Sequence, residues 1–255
     1  MRRILDIVII GEDGFLRNKD LGGELAPYSP TYTDPVKVED TRTHVSEFAQ
    51  KANTRILGRQ LLRGEVGCSL AHEKARGLIS TPWGLILEDD AVITKEMIAT
   101  IHELLRNCEL DYSSPTIISL IDKTDIKSNQ LELERLHYLP SGTAAYICSK
   151  TVANLDRTTS SMIGTADWPF SMADVHFYLL RGIGVTEYPA MSGIDAPNEK
   201  RHHSGALFHY LRVCFNLGPL VVQLGPRSVF YAFFSPIKRD LRNRWLKAAA
   251  ARRSD

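Results

Sequence analysis

The chain predicts an α/β protein: a mixed, mostly parallel sheet flanked by helices, with a helical appendage at the C-terminal end. Three observations carry this. Apolar runs of strand length recur, at Leu5–Ile10, at 83–87 and at 116–121, and near-continuous apolar runs belong to strands covered on both faces. Between them lie segments with apolar residues at helical spacing, over 45–63, 68–78 and 94–106. Finally, one run, Trp83-Gly84-Leu85-Ile86-Leu87-Glu88-Asp89-Asp90, ends in three consecutive acids, and the carboxyl end of a strand is where open α/β sheets bind their ligands.

The elements follow in order. The start is basic and then apolar, as in a secretion signal. Its apolar part is short, Asp6 interrupts it, and no small-residue cleavage site follows, so Leu5–Ile10 is read as the first buried strand. Residues 12–20 are polar, and 22–35, with Ala26-Pro27-Tyr28-Ser29-Pro30, read as an irregular connection. Helical spacing over 45–63 breaks at Gly64-Glu65-Val66-Gly67 and resumes over 68–78, and Pro82 stops it before the acidic strand. A helix over 94–106 and a buried strand over 116–121 follow, then a polar excursion over 122–134. The small residues of 138–149 permit close backbone approach, and a helix begins at Lys150 and runs to about residue 157. Asp167-Trp168-Pro169 is turn-like, 173–180 reads as helical, 184–188 as a short strand, and 189–204 as a loop.

The last section changes character. Residues 207–234 are rich in apolar and aromatic side chains, and a basic run follows: Lys238, Arg239, Arg242, Arg244, Lys247, Arg252 and Arg253. The expected organisation is one domain over 1–204 and an apolar, basic helical extension over 205–255. Such a tail either lies on an anionic membrane surface or is a solvated helix whose cations favour its C-terminal end.

With 255 residues and a net charge of +1, the chain is long enough for one large domain and shows no global attraction to nucleic acid. Its four cysteines, Cys68, Cys108, Cys148 and Cys214, form no C-x-x-C pair, which speaks against a zinc ribbon or a disulfide scaffold. The best transmembrane candidate, 213–226, is too short and contains Asn216, Gly218 and Pro219.

The acidic triplet points to a metal. Clustered carboxylates repel one another, and a divalent cation relieves the repulsion; magnesium-like ions take one or two carboxylates together with substrate phosphates. Side chains two apart on a strand share a face, so Glu88 and Asp90 are expected to point together and Asp89 away. The competing reading is that the acids cap the helix that follows. His72 lies one helical turn after Cys68, so the two share a face. That spacing suits a metal; packing on the acidic strand, with His72 hydrogen-bonding near a ligand, is the preferred reading.

Three segments together resemble glycosyltransferase family 25, the lipopolysaccharide-type glycosyltransferases. Gly64-Glu65-Val66-Gly67-Cys68-Ser69-Leu70-Ala71-His72 is similar to that family's G-E-I/V-G-C-x-x-S-H block. Leu85-Ile86-Leu87-Glu88-Asp89-Asp90-Ala91 matches its acidic strand, and Gly142-Thr143-Ala144-Ala145-Tyr146-Ile147-Cys148-Ser149-Lys150 resembles its G-T-x-A/G-Y block. The resemblance covers roughly residues 60 to 190, in the family's order. It departs at Ala71, where the family has serine, and after the first strand, where Ile10-Gly11 stand in place of Asn-Leu or Ser-Leu and only Arg17, followed by Asn18, remains of a basic pair.

The resemblance implies a GT-A-like fold and an inverting, metal-dependent transferase. It would move a hexose, galactose favoured, from a uridine diphosphate sugar onto a lipopolysaccharide or other surface glycan. The cofactor implied is a divalent metal, manganese or magnesium, held by Glu88 and Asp90 with His203 as a late-chain ligand. Asp89 would contact the ribose or donor sugar. Arg17, Glu65, His72, Thr143 and Tyr146 would line the donor or acceptor site, and Asp174 would be the general base. Glu65 also suits a capping role, Asp174 a helix N-terminal carboxylate, and Trp168 either a sugar-stacking or a core position. The implied partners are a nucleotide-sugar donor and a glycolipid or glycan acceptor, with no nucleic acid. The implied location is cytoplasmic, peripheral on the inner face of the membrane. Two other classes stay open: a sugar-nucleotide or glycan binding module without turnover, and a metal-dependent nucleotidyl or phosphoryl transferase, although the chain has no P-loop.

Overall fold

A computed structural model describes residues 3–11, 16, 18–36, 63–107, 110, 113–122, 130–136, 142–155 and 175–187. Strand β1 (Leu5–Ile10) leads to helix α1 (Lys19–Leu25), which tightens into a 3-10 turn at Ala26–Tyr28, and then to β2 (Thr31–Thr33). Helix α2 (Arg63–Gly77) precedes β3 (Trp83–Glu88), and the short β4 (Ala91–Val92) precedes α3 (Lys95–Asn107). The remaining elements are β5 (Thr116–Ser119), β6 (Glu132–Arg135), β7 (Ala145–Ser149), α4 (Lys150–Ala153), β8 (His176–Arg181) and β9 (Thr186–Glu187).

Seven strands form one sheet in the order β2-β1-β3-β7-β5-β8-β6, and β4 pairs with β9 in a separate ladder. Strands β2, β1, β3, β5 and β8 point one way; β7 and β6 run against them. This is the mixed, mostly parallel, helix-flanked sheet expected of a GT-A-like fold. It places the carboxyl end of β3 near the middle of the sheet, between β1 and β7.

Strand alternation sorts the core onto two faces. Leu5, Ile7 and Ile9 of β1, Trp83, Leu85 and Leu87 of β3, and Ala145 and Ile147 of β7 pack with Leu21 and Leu25 of α1 and Ile98, Ile101 and Leu105 of α3. On the other face Val8, Ile10, Ile86, Tyr146, Cys148 and Phe177 pack with Ala71 and Ala75 of α2 and Val152 of α4. Each large aliphatic side chain buried this way contributes about 1.5–3 kcal/mol of transfer free energy. The alanines of α2 let that helix approach closely. So does Gly84, where a Cβ would run into the side chain of Ile79.

The buried Asp6 is an exception within β1. Its Oδ2 accepts hydrogen bonds from the Ser80 amide (2.7 Å), the Ser80 hydroxyl (2.9 Å) and the Thr81 amide (2.9 Å). Burial works to raise its pKa, but these donors outweigh it and hold the carboxyl below its ordinary value. The acid that interrupts the first apolar run thus fastens the connection between α2 and β3.

Several expectations are corrected. The acidic strand ends at Glu88, and Asp89 and Asp90 form a turn, so strand alternation does not govern Asp90. Helix α2 runs unbroken through Gly64-Glu65-Val66-Gly67; Val66 and Gly67 are buried, and tertiary packing overrides the low helix propensity of glycine. Part of 173–180, expected helical, is strand β8, hydrogen-bonded between β5 and β6. A short apolar run such as Phe177-Tyr178-Leu179-Leu180 fits either period, and sheet pairing decides it. The polar excursion ends in edge strand β6, and the connection over 22–35 holds the end of α1, the 3-10 turn and β2. The expected helix at 150–157 is a four-residue turn of helix, Lys150–Ala153. The first helical stretch up to residue 62, the turn at Asp167-Trp168-Pro169 and everything from 188 on, including the C-terminal extension, lie outside the described residues.

Candidate functional site

Parity along β3 builds the site. Gly84, Ile86 and Glu88 share the face covered by α2, and β7, antiparallel to β3, pairs Tyr146 with Ile86 on that face. Across it α2 lays Cys68, His72 and Arg76, each four residues from the last and therefore in one stripe. The three sequence blocks meet here.

Glu88 is the meeting point. Its Oε1 accepts the Thr143 hydroxyl at 2.8 Å and lies 3.3 Å from Nε2 of His72. The other ring nitrogen of His72, Nδ1, is 3.2 Å from the Tyr146 hydroxyl, to which Arg76 Nη1 donates at 3.2 Å. One assignment satisfies the chain: Arg76 donates to Tyr146, Tyr146 donates to Nδ1, and Nε2–H donates to the Glu88 carboxylate. The backbone amide of Glu88 is also held, by the Ala144 carbonyl at 2.8 Å.

His72 is 2% and Arg76 4% exposed, while Tyr146 is completely enclosed. Burial drives the phenol pKa well above its ordinary value, with Arg76 pulling it partly back, so Tyr146 acts as a neutral hydroxyl. Expected to line a cleft, it instead braces His72 from beneath. Cys148, also fully buried, has its thiol pushed up to about 12 by desolvation, against the pull of Arg76. It is a core residue, not a nucleophile.

The two further acids sit in the half-buried turn after Glu88. That turn is tied to the opposite side of the sheet: the Asp89 carbonyl accepts the Asn18 amide at 2.8 Å, and the Ala91 carbonyl accepts Asn18 Nδ2 at 2.7 Å. Asn18 also caps α1, its Oδ1 accepting the Asp20 amide at 3.2 Å. Gly11, at the end of β1, lies so close that an added Cβ would meet Asp89 Cβ at 2.9 Å. The start of α3 is served otherwise: Lys95 N–H donates to Glu24 Oε2 at 2.9 Å and Met97 N–H to Thr94 Oγ1 at 3.4 Å. With β4 standing between the triplet and α3, the acids are positioned by the sheet end rather than by that helix.

The structure therefore brings together Glu88, His72, Thr143 and Tyr146, with Asp89 and Asp90 in the adjoining turn. Glu65 is half-buried in the first turn of α2, where a carboxylate favours the helix dipole. Arg17, Asp174, Trp168 and His203 lie outside the described residues. Sequence reasoning missed Arg76 and Asn18. Arg76 stands one turn beyond His72, and Asn18 directly precedes a helical run, so both carried a signal. Among the described residues the side chains grouped closely enough to share a metal ion are Cys68, His72 and Glu88, whose ligand atoms lie within 4.8 Å of one another; Asp89 and Asp90 do not join that group. Among the described residues no helix is long and apolar enough to cross a membrane.

No known family model matches the chain, and no curated protein matches it. A solved structure of a Bacillus anthracis protein, assigned as a glucose-1-phosphate thymidylyltransferase and in complex with sucrose, aligns over 71% of this chain and 69% of its own at 12% identity, with a TM-score of 0.31. Similarity at that level carries no inference about fold or activity.

Proposed function

We propose that the chain is a metal-dependent, inverting glycosyltransferase of the kind its three motif blocks resemble, glycosyltransferase family 25. It takes a hexose, galactose first, from a uridine diphosphate sugar to a lipopolysaccharide or other surface glycan. One observation carries the reading: three blocks far apart in sequence supply His72, Glu88 and Thr143 to one hydrogen-bonded cluster at the carboxyl end of a central strand. That cluster stands at the strand end from which the acidic turn departs, where open α/β sheets bind their ligands.

The roles follow from position. Glu88 is held by two side chains and a backbone carbonyl, so it fixes the turn that presents Asp89 and Asp90. Asp90, with Glu88 and with His203 from the late chain, would hold manganese or magnesium; Asp89 would meet the ribose or donor sugar. A bound cation supplies neutralisation of the departing diphosphate. Thr143 and His72 set the orientation of Glu88, and orientation accounts for much of the rate in such transfers. Asp174 is the proposed base toward the acceptor hydroxyl. The proposed catalytic domain spans 1–204. The basic extension over 205–255 would contact anionic membrane at the cytoplasmic face, a reading that equal vesicle sedimentation of full-length and Lys238-truncated protein would remove.

The test is transfer from labelled uridine diphosphate hexoses, with and without manganese. Manganese-dependent transfer is expected, falling by about 10²-fold or more in Asp90→Ala while the melting temperature stays close to the parent's. Full activity in Asp90→Ala removes the metal assignment. Nucleotide incorporation instead of sugar transfer would favour a nucleotidyl transferase, and donor binding without turnover a binding module.

A further inference from the structure

We propose that Cys68, His72 and Glu88 form a binding site for a thiophilic divalent cation of the zinc class, sharing Glu88 with the manganese or magnesium position proposed at the acidic turn but set apart from it by its sulfur and nitrogen donors. The inference does not depend on the transferase reading: a chain that never bound a sugar nucleotide would show it equally.

The cysteine sulfur, a histidine ring nitrogen and a Glu88 carboxylate oxygen all lie within 4.8 Å of one another. Metal–ligand lengths typical of zinc place the ligand atoms of a tetrahedron about 3.3–3.6 Å apart. His72 Nε2 and Glu88 Oε1 stand at 3.3 Å already, and the Cys68 sulfur lies within 4.8 Å of the ligand atoms of both residues. Cys68 and His72 are four apart on a single helix, so the backbone fixes two ligands at once. Sulfur, imidazole and one carboxylate select a borderline-soft ion over magnesium. Three protein ligands leave a fourth position for water, the pattern of a catalytic rather than a closed structural centre.

The surroundings suit a ligating histidine. Such a residue needs its second ring nitrogen held. Nδ1 of His72 faces the Tyr146 hydroxyl at 3.2 Å, and that oxygen is itself fixed by buried Arg76. A phenolic oxygen has two lone pairs and can accept from both. On binding, the Cys68 thiol releases its proton to solvent, and the imidazole proton resides on Nδ1 so that Nε2 meets the ion. Thiolate and carboxylate together balance the divalent charge. Cys68 and Glu88 are half-buried, whereas His72 is buried, so two of the three ligands keep some contact with solvent.

The experiment uses the full chain, stripped with chelator, then titrated with cobalt(II) as a spectroscopic stand-in for zinc. Expected are one tightly held equivalent, the d–d bands of a four-coordinate centre, and a sulfur-to-cobalt charge-transfer band that zinc bleaches and excess magnesium leaves in place. Cys68→Ser should lose that band, and Tyr146→Phe should weaken zinc about 10–100-fold through the loosened imidazole. The proposal is overturned by a wild-type cobalt spectrum without thiolate charge transfer, by its persistence in Cys68→Ser, or by displacement with magnesium. Should Cys68→Ser fail to fold, wild-type protein alkylated at Cys68, verified by peptide mass mapping, decides in its place. Absence of manganese-dependent transfer in stripped, cobalt-free protein, with the cobalt centre forming as expected in a separate sample, would strike the transferase reading alone.

Discussion

Replacing Tyr146 by phenylalanine removes one oxygen from the centre of the candidate site and leaves the ring in place. The residue is wholly buried, so the change opens little volume and its cost comes from hydrogen bonding. Two contacts end on that oxygen, from Arg76 Nη1 and with His72 Nδ1, each at 3.2 Å. A hydrogen bond to a charged group is worth about 1.5–3 kcal/mol and a neutral one about 0.5–1.5. Both contacts are at the long end of the normal range, and deleting a buried hydroxyl returns part of its desolvation cost. The expected destabilisation is therefore about 2–3 kcal/mol, or a fall in melting temperature of roughly 4–12 °C for a domain of this size. Urea unfolding and thermal melts measure it. Arg76→Met alone and combined with Tyr146→Phe completes a cycle, in which a coupling of about 0.5–3 kcal/mol is expected for groups in direct contact. A Tyr146→Phe variant within about 0.5 kcal/mol of the parent, with additive double-mutant behaviour, would refute the claim that Arg76 braces His72 through this hydroxyl.

Two other perturbations probe the scaffold. Asp6→Asn should destabilise by about 1–2 kcal/mol at neutral pH, because charge-assisted bonds to Ser80 and Thr81 become neutral ones. Since the folded carboxyl is held below its ordinary value, its contribution is full above the unfolded pKa and fades as pH falls through the folded one. The gap between parent and variant should then close in acid below about pH 4, and a gap that widens in acid would contradict the assignment. Gly84→Ala should cost about 1–3 kcal/mol by overpacking against Ile79. Ile79→Val in the same chain should restore part of that loss in urea midpoint; no restoration would mean that Gly84 serves some purpose other than admitting Ile79.

How much was legible beforehand depended on whether the signal was local. Strand β1 was read with its observed bounds and α3 within a residue, since each announces itself in its own side-chain pattern. Strand β8 did not, because its four apolar neighbours suit both periods and hydrogen bonds to β5 and β6 made the choice. The glycines at 64 and 67 signalled a break that packing of α2 on the sheet overrode. Among the site residues, the acids, His72 and Thr143 stood out in the chain. Tyr146 was expected to line the site, yet it is wholly enclosed between β7 and α2, which the packing of that helix on the sheet decides.

By itself, then, the order of residues determined the class of fold, the position of the acids after a buried strand, and the helical stripe that carries Cys68 and His72, all consequences of spacing along one element. Tertiary structure alone decided that Glu88 turns toward that stripe, that Arg76 and Tyr146 stand behind His72, and that Asn18 secures the acidic turn from across the sheet. Those relations join residues up to 74 positions apart, and they follow from strand register and helix placement, which no short window of sequence encodes.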